Sequence, residues 1–199
     1  MARQIGLKRL GLALYNGEVN GKPTWDAVEI IKQAIEITTT NVYSEYAFYS
    51  DDKIEESAKT LTSVEIGIVL GYMTNEMKSK YLGVSRNAES GFTKVGSTTN
   101  APQLAIVYEI TKSNGESDYK VIYNAKLSID ENTNRTKEDE VTGVEINLKG
   151  VGIPCPITDD VMGEISTDDN GDGIDPLTKK AIIDAFFTTV QTGEVLEEE

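Results

Sequence analysis

The chain has 199 residues, a single cysteine, no histidine and a formal net charge of −14. One cysteine excludes an intramolecular disulfide, and the lack of histidine removes the general base that most nucleophilic enzymes use. No apolar run is long enough to cross a membrane as a helix. The length fits one domain, or one domain with an appendage, whose core needs no disulfide or metal.

The residues of the N-terminal segment argue against a secretory signal peptide. Lys8 and Arg9 interrupt its leucines, so it has no continuous apolar stretch, and no small-residue cleavage site follows. Secretion is therefore not expected, and the single cysteine fits a protein that folds in a reducing cytoplasm.

The acidity is concentrated near the C-terminus. Residues 159–199 hold 12 acidic and 2 basic residues, a balance of −10, whereas residues 1–158 balance at −4. A chain with this charge does not neutralise phosphates, which argues against tight binding of nucleic acid. We divide the chain into a β-sandwich or barrel body, 1–158, and a segment 159–199 made of an acidic linker, a helix and an acidic tail.

Turn signals and alternating apolar residues predict strands in the first part of the chain. Residues 5–15 predict the first strand, and Asn16-Gly17 and Asn20-Gly21 are strong turn signals. The residues that follow fit a helix only roughly. Their β-branched side chains favour two strand pieces, 26–31 and 34–40.

An aromatic strand and an apolar strand are predicted on either side of an acidic loop. Tyr46 and Phe48 alternate with smaller residues in the strand 42–49, and apolar residues alternate again over 64–70. The polar residues between them predict a loop at 50–60.

A short helix is predicted over Thr74–Leu82. Thr74 is a good N-cap, and Gly83 stands where a C-cap glycine belongs. Met77 and Tyr81 lie one turn apart on the same face of this helix. Glu76 and Lys80 are also one turn apart and form a favourable charge pair.

The second block of strands begins after Pro102. Residues 104–111 and 119–123 alternate around the turn signal Asn114-Gly115, which predicts a hairpin. A loop that is mobile outside an assembly is predicted at 84–100, before this block. Later in the block, a charged loop is predicted at 130–140 and a strand at 141–148.

The C-terminal segment predicts one more helix. Asp175 and Pro176 provide an N-cap and a first-turn proline, an apolar face continues to Val190, and Gly193 ends the helix. Hairpin turns dominate and βαβ repeats are absent. The predicted fold is mainly β: an antiparallel β-sandwich or barrel with one short flanking helix and a C-terminal helix.

The sharpest motif for chemistry is the acidic stretch Asp168–Asp175. Oxygen donors at its first, third and fifth positions and a glycine at the sixth match the start of a calcium loop. The twelfth position is Lys179 in place of the usual carboxylate. We therefore favour an acidic linker whose carboxylates suit the start of the next helix, with calcium binding as the alternative.

The other candidate sites have stronger structural interpretations. Cys155 has no base to activate it, and is better interpreted as a buried cysteine in a turn than as a reactive thiol. Glu55-Glu56 and Glu138-Asp139-Glu140 are better interpreted as solvated charge than as paired catalytic carboxylates. The strand tyrosines are better interpreted as core or rim residues than as a base-stacking platform: Tyr43, Tyr46, Tyr49, Tyr108, Tyr119 and Tyr123. No catalytic, cofactor or metal residue is assigned.

The order of these motifs resembles a known family. Residues 46–83, YAFYSDDKIEESAKTLTSVEIGIVLGYMTNEMKSKYLG, are similar to the aromatic strand, acidic residues, apolar strand and helix of the major tail proteins of long-tailed bacteriophages. The Ala101-Pro102 entry into the second block, the strands 104–111 and 119–128, and the final AFFTTVQTGE helix are also similar to that family. The stretch at 159–175 is less typical of it.

The resemblance implies a role in assembly and no enzymatic activity. It implies a sandwich or barrel whose copies close into hexameric rings, stacked as the tail tube through which DNA reaches the host. It also implies a tape-measure protein and a tail-terminator protein as partners, passage of DNA without tight binding, no membrane, no cofactor, assembly in the host cytoplasm and a final location in the virion. The alternative is a β-sandwich binding module stabilised by calcium at 168–175.

Overall fold

The computed structural model describes residues 2–50, 53–97, 99–132 and 145–193. The strands are β1 (Gln4–Val19), β2 (Lys22–Trp25), β3 (Glu29–Ile30), β4 (Ala34–Ser50), β5 (Lys53–Leu70), β6 (Ser85–Arg86), β7 (Thr93–Lys94), β8 (Leu104–Lys112), β9 (Ser117–Asn132), β10 (Ile146–Gly152) and β11 (Met162–Ser166). The helices are α1 (Asn75–Leu82) and α2 (Pro176–Ala185).

One large antiparallel sheet organises the chain. Its strand order is β2-β1-β8-β9-β10-β5-β4, with β3 paired to β1 and β11 paired to β9, while β6 and β7 form a separate small hairpin. The predicted fold class is confirmed, because the protein is mainly β with one short helix in the middle and one near the C-terminus, consistent with a β-sandwich.

The centre of the sheet is buried on both faces. In β8, Leu104, Ile106 and Tyr108 belong to the main core, whereas Val107 between them belongs to a second apolar cluster. Side chains on a strand point alternately to opposite faces, so a continuous apolar run is what a strand covered on both sides requires. The second cluster lies on the α2 side of the sheet and includes Val107, Tyr119, Val121, Tyr123, Cys155 and Phe186, with Ile182, Ile183 and Phe187 packed against it.

Of the two early turn signals, only one is a turn. Asn20 and Gly21 have φ of 54° and 77° and join β1 to β2, as a tight hairpin turn requires. Asn16-Gly17 is not a turn: both residues lie inside β1, which runs on to Val19. The pairing register with β2 shifts between Tyr15 and Gly17, so the glycine, at φ 94°, marks a bulge.

The predicted acidic loop at 50–60 is wrong for the residues that the structure describes there. β4 and β5 stay paired from Ala34 opposite Leu70 out to Ser50 opposite Lys53, so residues 53–60 are strand. These residues show no apolar alternation because 57–60 are exposed and bury no face. Cross-strand backbone bonds and contacts such as Lys59 Nζ to Glu45 Oε1, 2.8 Å apart, hold them instead.

Helix α1 begins and ends as predicted. The Thr74 hydroxyl accepts a hydrogen bond from the Met77 backbone N–H at 3.1 Å, and Gly83 is left-handed with φ 69°. A Cβ at Gly83 would lie 2.3 Å from the Asn100 carbonyl oxygen, so the position also needs a glycine for space. Lys80 pairs with Glu29 and not with its predicted partner Glu76, since Lys80 Nζ lies 2.6 Å from Glu29 Oε2.

Helix α2 begins as predicted and ends early. The Asp175 carboxylate accepts hydrogen bonds from the Leu177 and Thr178 backbone N–H groups, but the helix stops at Ala185 and not near Gly193. A tight turn follows, in which the Phe186 N–H bonds to the Ile183 carbonyl and Phe186 enters the second cluster.

The other segments agree in part with the predictions. The strand piece at 26–31 is only β3, whereas the piece at 34–40 is the start of β4. The hairpin of 104–111 and 119–123 is confirmed as β8 and β9, and the 84–100 loop contains the short β6–β7 hairpin. β9 continues to Asn132, so the predicted charged loop starts later than residue 130. The rest of that loop, from residue 133, lies outside the described residues. Residues 141–144 of the predicted strand 141–148 also lie outside them, and its later part belongs to β10.

Candidate functional site

The possible calcium loop is engaged by the chain's own lysines. Asp168, its first predicted ligand, lies 2.6 Å from Lys112 Nζ and accepts a hydrogen bond from the Ser166 hydroxyl at 2.5 Å. These two hydrogen bonds lower the pKa of Asp168 to about 2. The Lys112 ammonium also lies 2.6 Å from Asp118, a nearly buried carboxylate, so Asp168 belongs to a structural ion network.

Lys179, at the twelfth position, directs its ammonium into the same loop. Its Nζ donates to the backbone carbonyls of Thr167, at 3.0 Å, and Asp169, and to the Asn170 side-chain oxygen at 3.4 Å. Asp175 is occupied as the N-cap of α2. Within the described ranges, no group of three or more acidic, cysteine or histidine residues is arranged to hold a metal ion. The geometry thus favours the linker interpretation.

The remaining sequence candidates do not converge. Cys155 is buried in the second cluster, as its structural interpretation predicts. Tyr108 is buried in the main core whereas Tyr119 and Tyr123 are buried on the opposite face, so these three cannot form one stacking platform. The side chains of Tyr49, Glu55 and Glu56, and all of residues 138–140, lie outside what the structure describes.

The sequence interpretation missed a buried ionic cluster on β8. The Glu109 side chain is 0% exposed, and its two carboxylate oxygens lie 2.9 Å from Lys8 Nζ and 2.6 Å from Arg9 Nε. Burial would raise the pKa of Glu109, but hydrogen bonds from Lys8 and Arg9 outweigh it and hold that pKa below its usual value. The sequence does contain a signal for this cluster. It is an acidic residue in the middle of an otherwise apolar strand, together with adjacent lysine and arginine residues on another strand.

The cluster also connects β1 to the segment after α2. The Arg9 guanidinium lies 4.2 Å from the centre of the Phe187 ring, so one arginine contacts both the buried carboxylate and an aromatic ring. This arrangement can fix the position of the C-terminal segment. It has no nucleophile, and the carboxylate is enclosed, so it offers no chemistry to a substrate.

In the part of the chain that the structure describes, the outer half of the β4–β5 hairpin is a long feature that pairs with no other strand. β10 pairs with β5 only from Val64 to Leu70, whereas β4 and β5 continue together from Val42 opposite Ser63 to Ser50 opposite Lys53. In the described part of the chain, this outer ribbon has no third strand. Tyr46 on it is 56% exposed.

The two edges of the sheet are also different. The β2 edge is four residues long and contains Pro23, and both features discourage pairing with another strand. The β4 edge is 17 residues long and contains neither proline nor lysine. A long edge of this kind is a template for a strand from another molecule.

No family model matches this sequence, and a comparison with curated proteins finds no significant match. In the described residues, neither helix has the length and apolar character needed to span a bilayer.

Proposed function

We propose that this protein is a structural subunit of a bacteriophage tail tube, whose copies close into hexameric rings that stack around a DNA channel. The observation that carries the proposal is the open β4 edge, together with the two-stranded ribbon that projects from the sheet. The motif order of the sequence supports the same proposal.

A subunit of this shape gains stability from a neighbour. An isolated two-stranded ribbon is marginal in water, and an edge strand presents a row of unpaired backbone groups. Pairing with a second copy would satisfy these groups. The β2 edge discourages strand pairing, so in this proposal the β4 edge of one copy contacts a different surface of the next copy, and such a contact closes into a ring when the rotation is right.

The charge distribution suits a channel that lets DNA pass. Six of the described lysines form short ion pairs with acids of the same chain: Lys8, Lys59, Lys80, Lys112, Lys120 and Lys149. Duplex DNA carries one negative charge per ~1.7 Å, so unpaired lysines repeated around many rings would retain it. We expect free protein to leave duplex DNA unshifted in a gel at low salt.

The partners in this proposal are further copies of the chain, a tape-measure protein within the tube and a tail-terminator protein at its end. The tube would assemble in the host cytoplasm and function in the virion, with no enzymatic activity. The calcium-stabilised binding module finds no support in the geometry, because Lys179 fills the loop that the ion would need.

Paired tyrosine variants test the proposal. Tyr46→Lys places a lysine on the exposed ribbon, whereas Tyr72→Lys makes the same change at a residue that is 61% exposed and lies before α1. Purified wild type at high concentration should form rings or tubes in electron micrographs. Tyr46→Lys should lose them and Tyr72→Lys should keep them, with unchanged circular dichroism for both. A strictly monomeric wild type by light scattering under all conditions, or tubes from Tyr46→Lys, would overturn the proposal.

A further inference from the structure

The segment 175–190, which contains α2, covers one face of the central strands mainly through side-chain packing. α2 itself has no buried residue, and the deepest side chain is Phe186, which is 2% exposed and follows the helix. Its ring contacts Tyr119 on β9, with 5.4 Å between the ring centres. The sheet beneath is therefore covered by an element that makes no strand pairing with it.

Two polar anchors hold the segment at its ends. At the N-terminal end, the Lys179 ammonium binds the carbonyl of Thr167, and the Thr167 N–H in turn bonds to the Ser117 carbonyl of β9 at 3.0 Å. At the C-terminal end, the Arg9 guanidinium contacts the Phe187 ring. The described residues show one backbone bond from this segment to an earlier part of the chain, from the Val28 N–H to the Thr188 carbonyl at 3.1 Å.

The strands beneath are held quite differently. β9 is paired with β8 on one side and with β11 and then β10 on the other, so its backbone bonds continue along both edges. Releasing the segment breaks side-chain packing and, among the described residues, one backbone bond, whereas releasing β9 breaks ladders on both sides. Elements with few buried contacts open at a lower free energy than the core.

We propose that residues 175–190 form a strap that lifts from the sheet as one unit while the sheet stays folded. Lifting uncovers the face lined by Val107, Tyr119 and Val121, and Lys179 is the main latch at the N-terminal end of the strap. This inference is independent of the proposed role in tail assembly, because it concerns a single copy of the chain.

Hydrogen exchange of the full chain, followed by mass spectrometry, tests the proposal. In wild type, the amides of residues 180–186 should share one free energy of opening and one small denaturant dependence, and both should be lower than for the amides of β8 and β9 once each rate is corrected for its intrinsic value. Fraying would instead give rates that change steadily from the ends of the helix inward. Equal rates for strap and sheet, or a graded strap, would overturn the proposal.

A lysine pair sharpens the test of the latch. Lys179→Met removes the ammonium in the loop, and Lys180→Met removes the exposed ammonium one residue away. Lys179→Met should speed exchange of the strap amides by about tenfold and leave β8 and β9 unchanged, while Lys180→Met should change neither. An equal effect of the two variants, or acceleration of the sheet together with the strap, would contradict the latch.

Discussion

The central strands and the β4–β5 ribbon are built from the same kind of backbone pairing, yet they differ in what their side chains bury. Residues 104–109 of β8 are all buried, whereas residues 57–60 of β5 are all exposed. The centre packs against the chain's own main core on one face and against the second cluster on the other. Among the described residues, the ribbon consists of two strands alone, so its stability depends on what else it contacts.

This difference separates two tasks within one sheet. Burial of apolar surface in the centre supplies most of the folding free energy. The ribbon contributes little to that free energy and keeps its backbone edge available. Substitutions in the two regions should therefore affect different measurements.

The largest effect is expected from a cavity in the centre. Ile106 is fully buried in the main core, so Ile106→Ala should lower the free energy of unfolding by about 3 kcal/mol, from lost burial and the cavity left behind. Urea unfolding of dilute protein measures the change. Tyr46→Ala on the ribbon is the matched control and should lower the free energy of unfolding by less than about 0.5 kcal/mol. A comparable loss for the two variants would break the comparison.

An intermediate effect is expected at the buried carboxylate. The pKa of Glu109 is held below its ordinary value of 4.5 in the folded protein. Its charge therefore stabilises the fold above pH 4.5, and that stabilisation is lost as the pH falls through the lowered pKa. Glu109→Gln should cost about 1–2 kcal/mol at pH 7 by weakening the bonds to Lys8 and Arg9.

Urea unfolding between pH 7 and pH 3 checks the sign of this effect. The gap between wild type and Glu109→Gln should narrow as the pH falls below 4.5, because the wild-type carboxylate becomes neutral too. A gap that stays constant over this range would show that Glu109 does not contribute through its charge.

The smallest effect is expected from the ion pair on the ribbon. Lys59 and Glu45 are both well exposed, so Lys59→Met should leave the midpoint of urea unfolding almost unchanged. The Lys59 ammonium also lies 4.8 Å from the centre of the Tyr43 ring, and a methionine keeps much of that contact. A clear fall of that midpoint relative to wild type would show that the ribbon is part of the cooperative core.

Sequence reasoning succeeded where local signals were sufficient. Thr74 and Gly83 mark the two ends of α1 through hydrogen bonds and backbone angles that are set within a few residues. The β8–β9 hairpin follows from the alternation of residues around Asn114-Gly115. Such features need no knowledge of the rest of the fold.

The errors arose where distant contacts decide the structure. The ribbon buries no face over 57–60, so its strands lack the alternation that reveals a strand. α2 ends early because Phe186 turns into a cluster formed by strands far away in the chain. Glu109 meets Lys8 and Arg9 across about a hundred residues of sequence, and no local pattern predicts which strands become neighbours.

Because the Lys179 ammonium lies in the acidic loop, the order of that loop does not depend on a cation from the surrounding solution. A calcium loop is ordered only while free calcium exceeds its dissociation constant, so its shape follows the ion content of each compartment. A cation that is covalently attached stays near the loop, at an effective concentration that dilution and chelators cannot lower. The loop should keep its shape equally in calcium-poor and calcium-rich fluids.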